Sequence, residues 1–333
     1  MQAGEEAEAG AVFSVAVSSA QEVSPKQRRV FLLHMRGKRG VAFALWALIT
    51  MISVIVLHHD KADYSRACLQ SLLRSTARPL EVINIDNGSH DATPQILDDW
   101  EAAARDQGIE TQRRRFENNA GAVGGRNAAM EMARGDYLVF IDNDTIVAQT
   151  GWLEALRDFL DADPRRAIVA PKMVFPWQPF LIECCGCGIA PSGRVQYIGR
   201  GEPRDSIVAP RAVQCSISAA WMMTRRIYET VGPIDEAYSP VQYEDLDYCY
   251  RARAAGAEVW IQPAVELYHF EHTTTAGSDD INFKYVTTKN GITFKKRWAA
   301  TFRQEDGPSD EEAQWQILPR QSIAEVDWQA LLP

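Results

Sequence analysis

Two aspartates one residue apart, Asp142 and Asp144, directly follow the apolar run Tyr137-Leu138-Val139-Phe140-Ile141. On an extended backbone, side chains two apart point the same way, so both carboxylates can face one small target. Paired hard oxygens suit Mg²⁺ or Mn²⁺, which keeps waters and takes further ligands from a substrate's phosphates. The same residues also fit a solvated Asp-Asn-Asp turn closing a strand. A second acidic pair, Glu244-Asp245, opens a predicted helix. Acids in a first helical turn suit the helix dipole, and one of them could equally serve as a general base.

The elements that must position these groups read as alternating strands and helices. The run 137–141 has the pattern of a strand buried on both faces, as in a parallel sheet, and open α/β sheets bind ligands at the carboxyl ends of their strands. Upstream, strands are predicted over 52–57, 80–85 and 111–116. Helices are predicted over 63–75 and 91–107, and a Gly-rich loop over 118–127 leads into a helix carrying Ala128, Met130 and Met132. That order implies a parallel, right-handed α/β arrangement. Downstream the pattern loosens. A helix over 151–160 and a strand over 167–170 precede a Gly-, Pro- and aromatic-rich stretch, 171–212, read as hairpins and loops forming an acceptor-facing wall. A strand over 214–224, a helix over 245–255 stopped by Gly256, a strand over 258–262 and a helix over 282–298 complete the order, and the acidic tail, 301–333, is expected to be loosely ordered or to pack late.

Bulk properties narrow the function. The 333 residues suffice for one large α/β domain or two small ones. A net charge of -9 argues against a nucleic-acid binder, so no nucleic-acid partner is expected. Cys68 and Cys249 sit in apolar helical patterns as small core residues, and Cys184, Cys185 and Cys187 lack a second ligand pair at metal spacing. A reduced, cytoplasmic compartment fits. Residues 1–50 differ from the rest: an Ala-, Glu- and Ser-rich start, then basic Arg36, Lys38 and Arg39, then an apolar run from Val41. The run falls short of a membrane span, and its end, Ile52–Leu57, is needed as the first strand. Residues 1–50 are therefore expected to be a dispensable, unstructured extension, with a short membrane-associated helix as the rival reading. Peripheral association with the inner membrane face is the matching alternative for the location.

Set in order, these pieces resemble a family 2 glycosyltransferase with the GT-A fold over about residues 51–300. Asp86-Asn87-Gly88-Ser89 with Asp91 and Thr93 resembles the loop that reads the nucleotide base. Asn119 to Asn127 resembles the loop that leads under the donor, and Asp142-Asn143-Asp144 the DxD metal site. Gly232-Pro233-Ile234-Asp235-Glu236 followed by Tyr243-Glu244-Asp245 resembles the acidic motif at a helix start, and Val265 to Thr275, centred on His269, the late His segment.

The resemblance implies a mostly parallel sheet flanked by helices, with a Rossmann-like nucleotide-sugar half and an acceptor half. It implies Mn²⁺ or Mg²⁺ held by Asp144 and His269, with Asp142 acting on the ribose or through water and His272 a weaker candidate. Asp245 is assigned as general base, with Glu244 as runner-up. His58, Asp86, Asn87, Gly125, Arg126, Asp142 and Asn143 are assigned to the nucleotide sugar. Asp86 could accept a bond from a ring N–H of uracil or thymine, Gly124 and Gly125 permit close backbone approach, and Arg126 could pair with a diphosphate. The implied reaction is transfer, with inversion, from a UDP- or dTDP-sugar to a glycan, lipid-linked or small-molecule hydroxyl. A sugar-phosphate nucleotidyltransferase and a non-catalytic nucleotide-sugar-binding homologue are the alternatives. The sequence departs from the family pattern at His58-His59-Asp60, at Ser218-Ala219-Ala220-Trp221 and at His269-Phe270-Glu271-His272-Thr273.

Overall fold

A computed structural model describes residues 50–271, 273 and 282–333. Contacts divide the chain into Met1–Thr50 and Met51–Pro333, and the second unit carries the sheet. The expectations for residues 1–49 and for His272 lie outside the described residues. Among those described, no helix is long and apolar enough to cross a membrane.

The chain runs β1 (Ile52–His58), α1 (Ala62–Leu73), β2 (Leu80–Asp86), α2 (Thr93–Asp106), β3 (Glu110–Arg115), α3 (Gly121–Met132), β4 (Tyr137–Asp142) and β5 (Thr145–Val147). It continues through α4 (Trp152–Asp161), β6 (Arg166–Val174), β7 (Ile182–Cys184), β8 (Cys187–Ile189), β9 (Val195–Tyr197), β10 (Arg211–Val213) and β11 (Ala220–Thr224). Then come α5 (Arg225–Val231), α6 (Glu244–Ala254), β12 (Glu258–His269) and α7 (Phe283–Phe302), and two short 3-10 helices, Ile323–Glu325 and Trp328–Leu331, lie in the tail. The main sheet has the order β10-β12-β6-β11-β4-β1-β2-β3, with β5 on β12 and β7 on β6. The half β4-β1-β2-β3 is parallel throughout. β11 then enters antiparallel between β4 and β6, so the second half is mixed.

Burial explains the parallel half. Tyr137 to Ile141 in β4 and Ile52, Val54, Ile55 and Val56 in β1 are all almost fully buried, as strands covered on both faces must be. Pairing of Leu57 with Ile85 and with Asp142 brings the carboxyl ends of β1, β2 and β4 to one level.

Four expectations are corrected. The Gly-rich segment is not a loop up to Asn127: α3 already begins at Gly121, so Gly124, Gly125 and Arg126 are helical. Gly125 lies flat on β1, where a Cβ would collide with Leu57 Cδ1. The strand predicted over 214–224 is confined to Ala220–Thr224, because Cys215 pairs instead with Cys187 as an isolated bridge. The strand predicted to end at Gln262 runs on to His269, because a register shift between Gln262 and Glu266 accommodates Pro263 at the irregularity. Of the two readings of the tail, loose order is the one overturned. Ala313 and Ile323 are buried, the Tyr64 hydroxyl accepts a bond from Ile323 N at 3.1 Å, and Tyr197 packs edge-on to Trp315 at 5.0 Å.

Gly121 joins the two halves. Its φ is +74°, and a Cβ there would come within 2.5 Å of Pro240 Cβ and 2.6 Å of Pro240 O, in the loop leading to α6. Gly108 has a similar φ of +71° but open space around it. Gly121→Ala is expected to cost about 3 kcal/mol in urea unfolding, and Gly108→Ala only about 1 kcal/mol. Equal losses in the two variants would show that the close approach to Pro240 contributes nothing.

Candidate functional site

A cavity of about 870 Å³ opens at the carboxyl ends of β1 and β4 and is lined by Asp142, Asn143, Asp144, Glu244, Asp245 and His269 together. β4 carries Asp142 at its end, and Asp144 follows in the turn to β5. Antiparallel pairing of β12 with β5 sets His269 opposite Thr145, and Phe270 N donates to Asp144 O at 3.1 Å. That register places His269 Nε2 3.2 Å from Asp144 Oδ1. Ligand atoms of Asp142, Asp144 and His269 all lie within 4.8 Å of one another.

Two partners complete this cluster. Glu183 of β7, fully buried, takes His269 Nδ1 at 2.7 Å, which orients the ring so that Nε2 faces the aspartates. A carboxylate behind a metal-binding imidazole is the usual device for fixing tautomer and basicity. Thr273 Oγ1 donates to Asp144 Oδ2 at 2.6 Å. Burial opposes charge on Asp144, but His269 and the Thr273 bonds outweigh it and bring its pKa down to about 2. Burial likewise opposes charge on His269, yet Glu183 and Asp144 hold it well above its ordinary value. Two carboxylates and an imidazole, with a buried carboxylate behind, form a donor set that fits a divalent cation. A bound ion would take the place of the proton on Nε2.

Arg126 connects this cluster to the second acidic pair. Its side chain is buried and donates to Asp142 Oδ1 at 2.7 Å, Glu244 Oε1 at 3.1 Å and Ser218 Oγ at 2.6 Å. The fork expected to face a diphosphate is thus turned onto the protein's own carboxylates, because a buried guanidinium must be paired. Asp245 accepts bonds from Leu246 N at 2.8 Å and Ser218 N at 3.2 Å. Burial and the neighbouring Asp245 push Glu244 up to about 8, and burial also raises Asp245. The backbone bonds favour the ionised form of Asp245, and the two carboxyls titrate as a pair.

The approach to this pair is held in an unusual backbone. Gln242 and Tyr243 have φ of +80° and +70°. Asn290 of α7, fully buried, donates to the carbonyls of Tyr238, Val241 and Gln242 at 2.7, 2.8 and 3.0 Å and so fixes the turn. Positive φ at two successive non-Gly residues persists only where surroundings over-determine it.

Other assigned residues sit differently. Asn87 lines the cavity, and its side-chain amide donates to Asn119 Oδ1 at 2.8 Å and Gly121 O at 3.1 Å. Asn143 lines it too, but its side-chain amide donates to Ser65 Oγ at 2.9 Å. Three residues assigned to the nucleotide sugar are not among the lining residues. Gly125 is under α3 against Leu57. Asp86 is committed to Ser89 N at 2.9 Å and Arg115 Nη1 at 2.8 Å, closing its own loop. His58 is fully buried between Ser65 Oγ at 3.0 Å and Asn84 Oδ1 at 3.2 Å, and the next residue, His59, lines the cavity instead. Alternation along β1 accounts for this one-residue exchange. Glu183 and Asn290 had no signal in the sequence, and Ser218 stood out only within a departure from the family pattern. Each acts through partners far away along the chain.

Residues 53–232 match the family described as Glycosyl transferase family 2. An uncharacterised protein of Sinorhizobium fredii, y4gI, is 28% identical over 267 residues, which is 77% of this chain and 28% of that protein. The pre-mycofactocin glycosyltransferase of Mycobacterium tuberculosis is 29% identical over 227 residues, 67% of this chain and 43% of that protein. The chain thus spans less than half the length of these relatives. Among solved structures, GalNAc-T7 with UDP, GalNAc and Mn²⁺ superposes with a TM-score of 0.62 at 14% identity, covering 76% of this chain and 49% of that one. The mannosyltransferase PcManGT of Pyrobaculum calidifontis with GDP-Man and Mn²⁺ gives 0.52 at 17% identity, covering 77% and 65%. At such identities the likeness is one of fold, the GT-A fold.

Burial lowers the pKa of His58 to about 4 from 6.5, against smaller opposing effects of Asn84 and Asp86. The folded value lies below the unfolded one, so the unfolded chain takes up the proton first. Stability contributed by the neutral ring is full above pH 6.5 and is lost as pH falls toward 4. The slope is about 1.4 kcal/mol per pH unit. His58→Asn is expected to be less stable near neutrality but to show a flatter acid limb in urea unfolding. Parallel limbs for the two proteins would contradict this.

Proposed function

The chain belongs to glycosyltransferase family 2, and on that premise we propose that it transfers a sugar from a nucleotide-sugar donor to an acceptor hydroxyl, with a divalent cation and with inversion. The observation that carries the reading is that the Asp142–Asp144–His269 cluster and the Glu244–Asp245 pair line one cavity, bridged by Arg126. A cation at the cluster would offset the charge that develops on the leaving nucleoside diphosphate.

The chain's own residues divide the remaining work. Asp245, fixed by the N–H groups of Leu246 and Ser218, is the base that takes the acceptor's proton. Glu244 stays beside it, held by Arg126 at 3.1 Å and so oriented away from that proton. Arg126 keeps Asp142 and Glu244 in place by a bond to each. Glu183 holds the His269 ring in register with Asp144. His59, Asn87 and Asn119 line the end of the cavity beside β1 and β2 and are assigned to the nucleotide. Direct attack of the hydroxyl on an α-linked donor would invert the anomeric centre. The donor class rests on the family and on the UDP and GDP-Man bound by the two structural neighbours. UDP- and dTDP-sugars come first, and glycan, lipid-linked and small-molecule acceptors remain open.

A panel of nucleotide sugars with Mn²⁺, scored for nucleoside diphosphate, tests the reaction. Release of pyrophosphate from a nucleoside triphosphate and a sugar 1-phosphate, with no diphosphate from the panel, would favour a nucleotidyltransferase. Asp245→Asn is expected to lower kcat by about 100-fold or more while leaving donor KM within about threefold. Unchanged turnover in that variant would remove Asp245 as the base.

Glu183→Gln tests the cation directly. It is expected to weaken Mn²⁺ binding, measured by calorimetry without substrate, by about 10- to 100-fold. Wild-type affinity in the variant would mean that Glu183 does not support the site.

A further inference from the structure

The tail after α7 forms part of the cavity wall, with Ala313, Gln314 and Trp315 among the lining residues. It lies beyond the matched family segment, which ends at residue 232. The tail is fastened along the β8–β9 hairpin. Gln196 Nε2 donates to Glu312 O at 3.3 Å, and Arg200 Nε donates to Gln316 O at 2.9 Å. Arg200 is itself held by Glu271 at 2.9 Å, two residues from His269.

Trp315 is the unusual member. The Arg200 guanidinium lies over its ring, 4.2 Å from the centroid, and Tyr197 meets it edge-on at 5.0 Å. The guanidinium covers one face and Tyr197 stands perpendicular to the ring, yet 47% of the residue's surface stays exposed. A tryptophan serving only as a hydrophobic peg would bury its ring. This one is braced from behind and left open beside a cavity. The nucleotide residues assigned above belong to the β1–β2 side, whereas Trp315 stands on the hairpin side with Arg194, Tyr197 and Lys295.

We propose that Trp315 is a stacking platform for a hexopyranose ring of the acceptor, a subsite built by this chain's own tail. The inference rests on the transferase reading for the word acceptor. A pyranose presents a face of C–H groups that packs on the electron-rich face of an aromatic ring. A rigid two-torsion side chain gives such contact at small entropic cost. Gln314, Arg194 and Lys295 on the same wall offer hydrogen bonds to hydroxyls at the ring's edge.

The test uses the full chain and a panel of methyl hexopyranosides, read by intrinsic tryptophan fluorescence. At least one glycoside is expected to shift the emission, and Trp315→Phe is expected to abolish most of that shift. Trp315→Ala is expected to raise acceptor KM about tenfold, with UDP affinity in Mn²⁺ unchanged within about twofold, while Trp315→Phe stays near wild type. No response to any glycoside, or a shift that survives Trp315→Phe, overturns the proposal. A loss of UDP affinity in Trp315→Ala also overturns it, assigning the ring to the nucleobase. Absence of nucleoside diphosphate release alongside an intact glycoside response would sink the transferase reading alone.

Discussion

Six carboxylates, Asp142, Asp144, Glu183, Glu244, Asp245 and Glu271, line one cavity in a protein of net charge -9. Like charges brought together out of bulk water repel strongly, and such an arrangement folds only with positive charge inside it. Arg126 supplies that charge from between the pairs, bonded to Asp142 on one side and Glu244 on the other. His269 supplies a second, bonded to Asp144 and Glu183. The guanidinium is permanently charged, whereas the imidazole can give up its proton. The first can therefore serve as fixed scaffolding, and the second can yield its place to a cation.

The same guanidinium explains how two distant stretches act together. It rises from α3, which lies on β1 through Gly125, and it reaches the start of α6, whose preceding loop touches α3 through Gly121 and Pro240. Val123 N donates to Pro240 O at 3.2 Å, so the contact is bonded as well as close. From the other side Asn290 holds the positive-φ turn at Gln242 and Tyr243. The acidic pair is thus clamped by α3 and α7 at once, and an unfavourable backbone is sustained by bonds that water could not replace at a buried site.

The sequence by itself determined the parallel half of the sheet. The continuous apolar runs of β1, β2 and β4 could be satisfied only by burial on both faces, and the end of the central run put Asp142 at its tip with Asp144 in the turn after it. The acids at a helix start were visible because local spacing and helix polarity are written in neighbouring residues. The length of β12 was not, because Pro263 reads as a stop and only pairing with β6 and β5 carries the strand past it. That pairing alone decided that His269 meets Asp144. Tertiary structure likewise decided that Glu183 stands behind the ring, that the fork of Arg126 turns inward, that His58 is core while His59 is cavity, and that the tail is a wall. Each of these depends on a partner far off in the chain, and a residue's own type and spacing carry no information about which distant group will be there to pair with it.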